Sequence, residues 1–299
     1  VGSGKTIVSS FAILLAVLHG FKIAFMAPTE ILARQHYDTL TALFHTLKIP
    51  CSLITSHSKA GNEDASVVVG THALLSKKIK MKKLGLVIID EQQRFGVSQR
   101  AILTKKGENP HILSLTATPI PRTIALTLCA DLDLSLIDEL PFGRIKIKTY
   151  VINDTKHDAA YAWIRKKILE SNAGEQAYIV CPLIEESDTL ESVKSAKAEY
   201  IRLSQTIYQD LKVGLLHGRM RPKEKEAVLS QFKCGDLQIL VATPVVEVGI
   251  DIPSATIMLV EGADRFGLSQ LHQLRGRVGR STKASYCILS TRSTNEKSL

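Results

Sequence analysis

Short apolar runs rich in Val, Ile and Leu alternate along the chain with stretches whose apolar residues recur every three to four positions. Runs such as KIAFMA (22–27), SVVV (66–69) and LGLVII (84–89) are apolar without alternation, the pattern of strands covered on both faces by helices. In the first half this predicts strands over 22–27, 51–55, 66–69, 84–89, 111–115 and 134–137, with helices over 5–19, 30–47, 97–105 and 121–129. The second half repeats the rhythm. Strands are expected near 146–152, 176–181, 213–216, 237–241, 256–260 and 285–289, and helices near 155–171, 189–210, 222–232 and 268–276.

The expected fold class is therefore α/β, with two mainly parallel sheets flanked by helices. Between the halves lies DELPFGR, Asp138 to Arg144, where Pro and Gly interrupt regular structure and mark a hinge. The expected domains are residues 1–143 and 144–299. A chain of 299 residues also exceeds what one core comfortably fills, since single cores stop growing at about 250–300 residues.

Composition narrows the function classes. No apolar run reaches the ~18 residues that a membrane span requires, so a cytoplasmic chain is expected. Val1 is not an initiator methionine, and neither secretion nor organelle import can be read from this N-terminus. Five cysteines (Cys51, Cys129, Cys181, Cys234, Cys287) are scattered and never paired as C-x-x-C, which argues against a disulfide framework or zinc site and for core positions. The formal charge of +9 divides as +4 over residues 1–143 and +5 over 144–299, so a polyanion lying across both halves is accommodated. Lys77, Lys78, Lys80, Lys82 and Lys83 form a dense basic run that suits either a solvated face or a phosphate contact.

Candidate chemistry sits just beyond the predicted strands. Gly2-Ser3-Gly4-Lys5-Thr6 opens an apolar helix, so backbone N–H groups and the helix dipole converge on one anionic group, Lys5 meets β/γ-phosphate oxygens and Thr6 ligates Mg²⁺. The pattern G-x-x-x-x-G-K-[ST] needs an earlier glycine, so Gly-x is expected to precede Val1. Asp90-Glu91 closes the strand LGLVIID, where parallel sheets put their ligands; Asp90 would hold Mg²⁺ and Glu91 would orient the attacking water. Alone, such a pair is an ordinary turn into a helix; with a phosphate loop upstream it is a site. In SLTATPIPRT (114–123), Thr116 and Thr118 are placed to hydrogen-bond towards the carboxylates and relay the state of the phosphate. APTEILARQ (27–35) and GTHALL (70–75) put Pro28, Thr29, Gly70 and Thr71 beyond strands, suited to gripping phosphodiesters without reading bases.

In the second half, QLRGRVGR (273–280) presents Arg275, Arg277 and Arg280 among glycines, and arginines so placed serve to sense a γ-phosphate or to face a nucleic acid. ATPVVEVGIDIP (242–253) supplies Thr243, Gly249 and Asp251 after a strand, with Asp251 able to accept a hydrogen bond from ribose. A phosphate loop and acidic pair in one half and arginines in the other have the layout of a nucleotide-driven motor.

Taken in order, GSGKT, PTEILARQ, GTHALL, DEQQRFGV, TATPIPRT, LHGRM, ATPVVEVGIDIP and HQLRGRVGR resemble the successive motifs of superfamily 2 DNA helicases over nearly the whole chain. DEQQRFGVSQR (90–100) with TATPIPRT is similar to two branches, the RecG branched-DNA helicases and the transcription-repair coupling translocases. LSLIDELPFGR (134–144) and the segment from Leu216 to Thr243 resemble the RecG branch, whereas the coupling branch usually has HGQM where this chain has His217-Gly218-Arg219-Met220.

The RecG resemblance implies two tandem RecA-like P-loop domains and an ATP- and Mg²⁺-dependent motor. It would move on double-stranded DNA and remodel stalled replication forks and Holliday junctions, as a monomer in the bacterial cytoplasm with a single-stranded-DNA-binding protein as a further partner. Carried over residue by residue, Lys5 and Thr6 bind phosphates and Mg²⁺, Asp90 and Glu91 are the Walker B pair, and Gln273, Arg277 and Arg280 complete the site. Thr29, Thr71 and Thr243 match positions that touch the DNA backbone, and Gln93 stands where such proteins have His or Gln. Pro244 departs from the pattern, replacing a residue that is often Thr and removing a backbone N–H. A wedge domain, an adenine-contacting segment and a helical hairpin that the family carries are expected outside residues 1–299. Two alternatives stay open: a transcription-repair coupling motor, and a DNA- and nucleotide-binding module without turnover.

Overall fold

The computed structural model describes residues 3–56, 59–60, 64–76, 79, 81–92, 95, 107, 109–116, 133–139, 145–171, 174–182, 189–244 and 252–291. The chain divides into two compact units, Gly2–Glu139 and Leu140–Leu299.

In the first unit the strands are β1 (Lys22–Met26), β2 (Cys51–Ile54), β3 (Lys59–Ala60), β4 (Val67–Gly70), β5 (Leu84–Asp90) and β6 (His111–Leu115). They form one sheet ordered β3-β2-β4-β1-β5-β6, parallel throughout except that β3 runs antiparallel to β2. The central strands are the unalternating apolar runs: Ile23, Ala24, Phe25 and Met26 of β1 and Ile88 of β5 are all fully buried. Burying each of the larger side chains contributes about 1.5–3 kcal/mol, which selects these runs for the middle of the sheet.

Helix α1 (Lys5–Leu18) packs on β1 and β5, and α2 (Glu30–Phe44) on β2 and β4. Helix α2 starts where Thr29 caps it, its hydroxyl accepting from the Leu32 N–H at 3.4 Å. It buries Leu32, Ala33, His36, Leu40 and Phe44, a stripe at helical spacing. Helix α1 buries Ser9 and Ile13 but leaves Ile7, Val8, Phe11, Leu15 and Leu18 exposed.

The second unit contains β7 (Lys148–Asn153), β8 (Gln176–Val180), β9 (Val213–Leu216), β10 (Ile239–Ala242), β11 (Ala255–Val260) and β12 (Tyr286–Thr291). They form a wholly parallel sheet ordered β7-β12-β11-β8-β10-β9. Its helices are α3 (His157–Glu170), α4 (Thr189–Arg202), α5 (Pro222–Cys234) and α6 (Leu268–Arg275), with a π-helical turn, Leu203–Ile207, continuing α4. Tyr161, Ile164, Leu203 and Tyr208 pack with Ile179, Val241 and Leu259 in one core. Helix α5 opens with Pro222 at its first position and ends at Gly235, whose φ of 86° is the left-handed cap that closes helices.

Two parallel-sheet α/β units are what the apolar rhythm predicts. The strand expected over 134–137 is not there: Leu134, Leu136 and Ile137 are exposed, and without a neighbouring strand an apolar run has no sheet to join. Cysteines 181 and 287 are buried as expected, with burial pushing the Cys287 thiol up to about 12, but Cys51 is half-buried and Cys234 exposed. All four are free thiols. Cys129, the helices expected over 97–105 and 121–129, most of the Asp138–Arg144 hinge, and Lys77, Lys78 and Lys80 lie outside the described residues. Among the described residues no helix is long and apolar enough to cross a membrane.

Candidate functional site

Parallel strands place all their C-terminal ends on one edge of the sheet, and the register shows how closely they align. Met26 of β1 faces Gly70 of β4 on one side and Ile89 of β5 on the other, while Asp90 faces Leu115 of β6. Pro28-Thr29, Gly70-Thr71, Asp90-Glu91 and Thr116 therefore leave the sheet along a single edge. Helix α1 returns to β1 through Gly20 and Phe21, so its N-terminal turn is directed to that same edge.

At the start of α1, Gly4 has φ 91°, a left-handed conformation that glycine adopts without strain. Its carbonyl accepts from the N–H groups of Ile7 and Val8 at 2.9 and 3.1 Å, while Ser3, Lys5 and Thr6 are half-buried around the helix start. The N–H groups of Lys5 and Thr6, at the first two helical positions, have no acceptor within the helix, which suits such a start to an anion. The Ser9 hydroxyl, fully buried, donates to the Thr6 carbonyl at 2.8 Å and fixes the turn. Gly2 lies outside the described residues.

Asp90 is 8% exposed, and both of its oxygens are engaged. Oδ1 accepts from the Glu91 N–H at 3.0 Å, and Oδ2 lies 2.8 Å from Nε2 of His36. Glu91 has φ 49°, a left-handed backbone that costs a non-glycine residue roughly 1–2 kcal/mol. That turn folds its N–H back on the neighbouring carboxylate. Thr116 is half-buried at the end of β6; Gln93 and Thr118 lie outside the described residues.

Of the expected phosphodiester contacts in this unit, Pro28 and Thr29 are half-buried and Thr71 is 6% exposed, its N–H donating to the Ile54 carbonyl at 3.3 Å. Gly70 serves packing: a Cβ there would stand 2.2 Å from the Ile54 carbonyl oxygen.

In the second unit, Thr243 and Pro244 follow β10, and Thr243 is 2% exposed with its N–H given to the Leu216 carbonyl at 3.1 Å. Gly249 and Asp251 lie outside the described residues. Gln273 and Arg277 are buried at 8% and 3% exposure, whereas Arg280 is half-buried and donates from Nε to the Gly276 carbonyl at 3.3 Å. Arg275 stands 3.4 Å from His272 Nδ1, and burial followed by that guanidinium holds the imidazole below its usual range.

These arrangements can be set beside known proteins. Family models match residues 1–127 as DEAD/DEAH box helicase and residues 159–282 as helicase conserved C-terminal domain. The ATP-dependent DNA helicase RecG of Synechocystis is 50% identical over 98% of this chain, which covers 36% of that protein. For the RecG of Bacillus subtilis the identity is 48%, over 97% of this chain and 43% of that protein. A solved structure of RecG bound to a three-way DNA junction superposes with TM-score 0.80 at 41% identity, over 99% of this chain and 39% of that one. The chain belongs to the RecG family. It spans about two-fifths of the length of the RecG proteins it matches. The fold extends further: yeast Dbp5 bound to RNA and ADP BeF3 superposes at TM-score 0.74 with 20% identity.

Two features of this RecG-family chain escape sequence reading. One is His36, whose signal is a polar residue on the buried stripe of α2, between Ala33 and Leu40. The other is a half-buried network in the second unit. Tyr161 donates to Glu261 at 2.6 Å and lies 2.8 Å from Glu199; His157 Nε2 meets Glu261 at 2.7 Å; Arg202 clasps Glu199 at 2.6 and 3.1 Å. Glu261 begins the segment that leads from β11 into α6, the helix of Gln273.

Proposed function

We propose that this chain is the ATP-driven motor of a RecG-type DNA helicase. It would couple ATP hydrolysis to translocation on double-stranded DNA and to the remodelling of stalled forks and Holliday junctions. The observation that carries this reading is the Asp90-Glu91 pair. A carboxylate oriented through both oxygens, followed by a second carboxylate on a left-handed backbone, closes the strand flanked by β1 and β6.

In this reading the glycine-led turn and Lys5 cradle the triphosphate, and Thr6 with Asp90 holds the nucleotide-bound Mg²⁺. The donor set fits that ion. A threonine hydroxyl and a carboxylate are hard oxygen donors, and Mg²⁺ is held by one or two protein ligands of this kind with phosphates and waters. Once bound, it neutralises phosphate charge. Glu91 orients the attacking water, and Gln273, Arg277 and Arg280 are assigned to the charge that develops on the γ-phosphate. Thr116, and with it Gln93 and Thr118, would relay the nucleotide state. Gly249 and Asp251 are assigned to the nucleotide.

DNA would lie on the Pro28-Thr29, Gly70-Thr71 and Thr243 segments through its backbone, so affinity would fall steeply with salt and vary little with base sequence. The net charge of +9 supports such a partner. A monomer working in the bacterial cytoplasm, with a single-stranded-DNA-binding protein as a further partner, completes the reading. The deciding experiment is ATP hydrolysis by the chain with and without branched duplex DNA, beside Lys5→Ala. DNA stimulation lost in the variant is expected; turnover no higher than the variant's would leave a binding module.

A further inference from the structure

His36 sits in the second turn of α2, seven residues after the cap Thr29, with its ring 4.5 Å from that of Phe25 on β1 and only 8% exposed. Buried histidines are ordinarily satisfied by whatever acceptor lies nearest, and a backbone carbonyl is a common one. Here the acceptor is Oδ2 of Asp90, 54 residues away in sequence and at the ligand edge of the sheet. Facing a carboxylate oxygen, Nε2 carries the proton and donates it.

The consequence lies in what the two bonds to Asp90 leave. The Glu91 N–H is fixed by the same backbone as Asp90 and holds Oδ1 whatever the helices do. Among the described residues, it is the bond to His36 that ties the carboxylate to another element, α2, which grows directly out of the Pro28-Thr29 segment. Rotation of the Asp90 carboxylate is therefore set by the placement of α2.

We propose that His36 is a positioning residue. Its Nε2–H fixes the orientation in which Asp90 faces nucleotide-bound Mg²⁺, and it passes the placement of α2 to that carboxylate. The inference rests on the reading of Asp90 as the Mg²⁺ carboxylate. Outer hydrogen bonds to metal ligands are typically worth 10–100-fold in metal affinity or activity, so the effect is measurable.

The test is a Mg²⁺ titration of fluorescent mant-ADP binding to the chain, read without turnover, with circular dichroism confirming the fold. His36→Leu keeps the apolar packing but has no donor, and should raise the half-saturating Mg²⁺ concentration by about 10-fold or more. His36→Gln places an amide N–H near the Nε2 position and should restore it to within about 3-fold, whereas His36→Asn, with its donor too near the backbone to reach Oδ2, should behave as Leu does. Should His36→Leu fail to fold, the Gln and Asn pair decides alone. Equal behaviour of Gln and Asn, or a Leu variant that titrates like the unaltered chain, overturns the inference while Asp90→Asn still raises the Mg²⁺ requirement. If Asp90→Asn changes nothing, or the unaltered chain binds without regard to Mg²⁺, the reading of Asp90 falls first and the role of His36 with it.

Discussion

The hydroxyl of Tyr161 lies 2.6 Å from Oε1 of Glu261, and through that bond a residue of α3 holds the segment leaving β11. Burial, followed by the neighbouring charges of Glu261 and Glu199, pushes the phenol far above its ordinary range, so it stays a proton donor at every working pH. One phenolic proton serves two carboxylates. The compensating charges come from Arg202 on Glu199 and from His157 on Glu261.

This network makes the second unit pH-dependent. The hydrogen bond to Glu261 raises the His157 imidazole above its ordinary 6.5, against the opposing effect of burial. A group with a raised folded value stabilises fully below 6.5 and loses that contribution as pH climbs through the folded value. For Glu199, burial acts upward but is outweighed by Arg202 and Tyr161, which hold the carboxyl below its ordinary 4.5. Its contribution is present above 4.5 and is lost as pH falls through the lowered value. Stability should therefore peak between these limits. Trp163, the only tryptophan, stands 5.0 Å from Tyr286 and reports on this unit alone. Its fluorescence during urea unfolding should give a midpoint that declines from pH 6 to 8, and His157→Gln should remove that decline.

Glu91→Gln should keep nucleotide binding while hydrolysis drops by about 10³-fold or more, because in its proposed role Glu91 orients the attacking water and the substitution leaves the cradle intact. Gln tolerates the left-handed backbone as Glu does, so the unfolding midpoint should hold. Quench-flow hydrolysis beside mant-ADP titration checks both halves. Unchanged turnover would remove Glu91 from the chemistry.

Arg280→Ala should slow hydrolysis by ~10³-fold or more while ADP affinity stays within a few-fold, since in its proposed role the guanidinium acts on charge that develops only as the γ-phosphate leaves. Its Nε bond to Gly276 holds the side chain at the turn in advance. Equal losses in rate and in ADP affinity would make the arginine a ground-state contact.

Gly70→Ala should destabilise the first unit by roughly 1–3 kcal/mol, towards the upper end, because the new methyl meets the Ile54 carbonyl oxygen at 2.2 Å and the Leu74 side chain at 2.8 Å. The midpoint of urea unfolding followed by far-ultraviolet circular dichroism gives the number. A shift under about 0.5 kcal/mol would mean that β2 yields more easily than a close-packed sheet should.

The fold was legible wherever burial is two-sided. β1 and β5 read as strands because Ile23 to Met26 and Val87 to Ile89 have no exposed position to polarise. The run from Leu134 to Ile137 is apolar too but has no partner strand among the described residues, and local pattern carries no information about partners. Candidate chemistry followed the same rule. Asp90 and Glu91 are adjacent and end an obvious strand, so they could be named. His36 meets Asp90 from 54 residues away, and His157 meets Glu261 from 104, so each was one more polar residue until the chain was folded.

The strand order of the second unit has a temporal meaning. Among the described strands of that unit, β7 is the first made and lies at the edge, where its one neighbour is β12, the last: Lys148 pairs with Tyr286 and Asn153 with Thr291. At about 5–20 residues per second, translation leaves the first strand waiting on the order of 10 s for its partner. Until then, Tyr150 and Val151 face solvent with no ladder beside them, a period in which a nascent chain depends on something other than its own fold to keep that edge from pairing elsewhere.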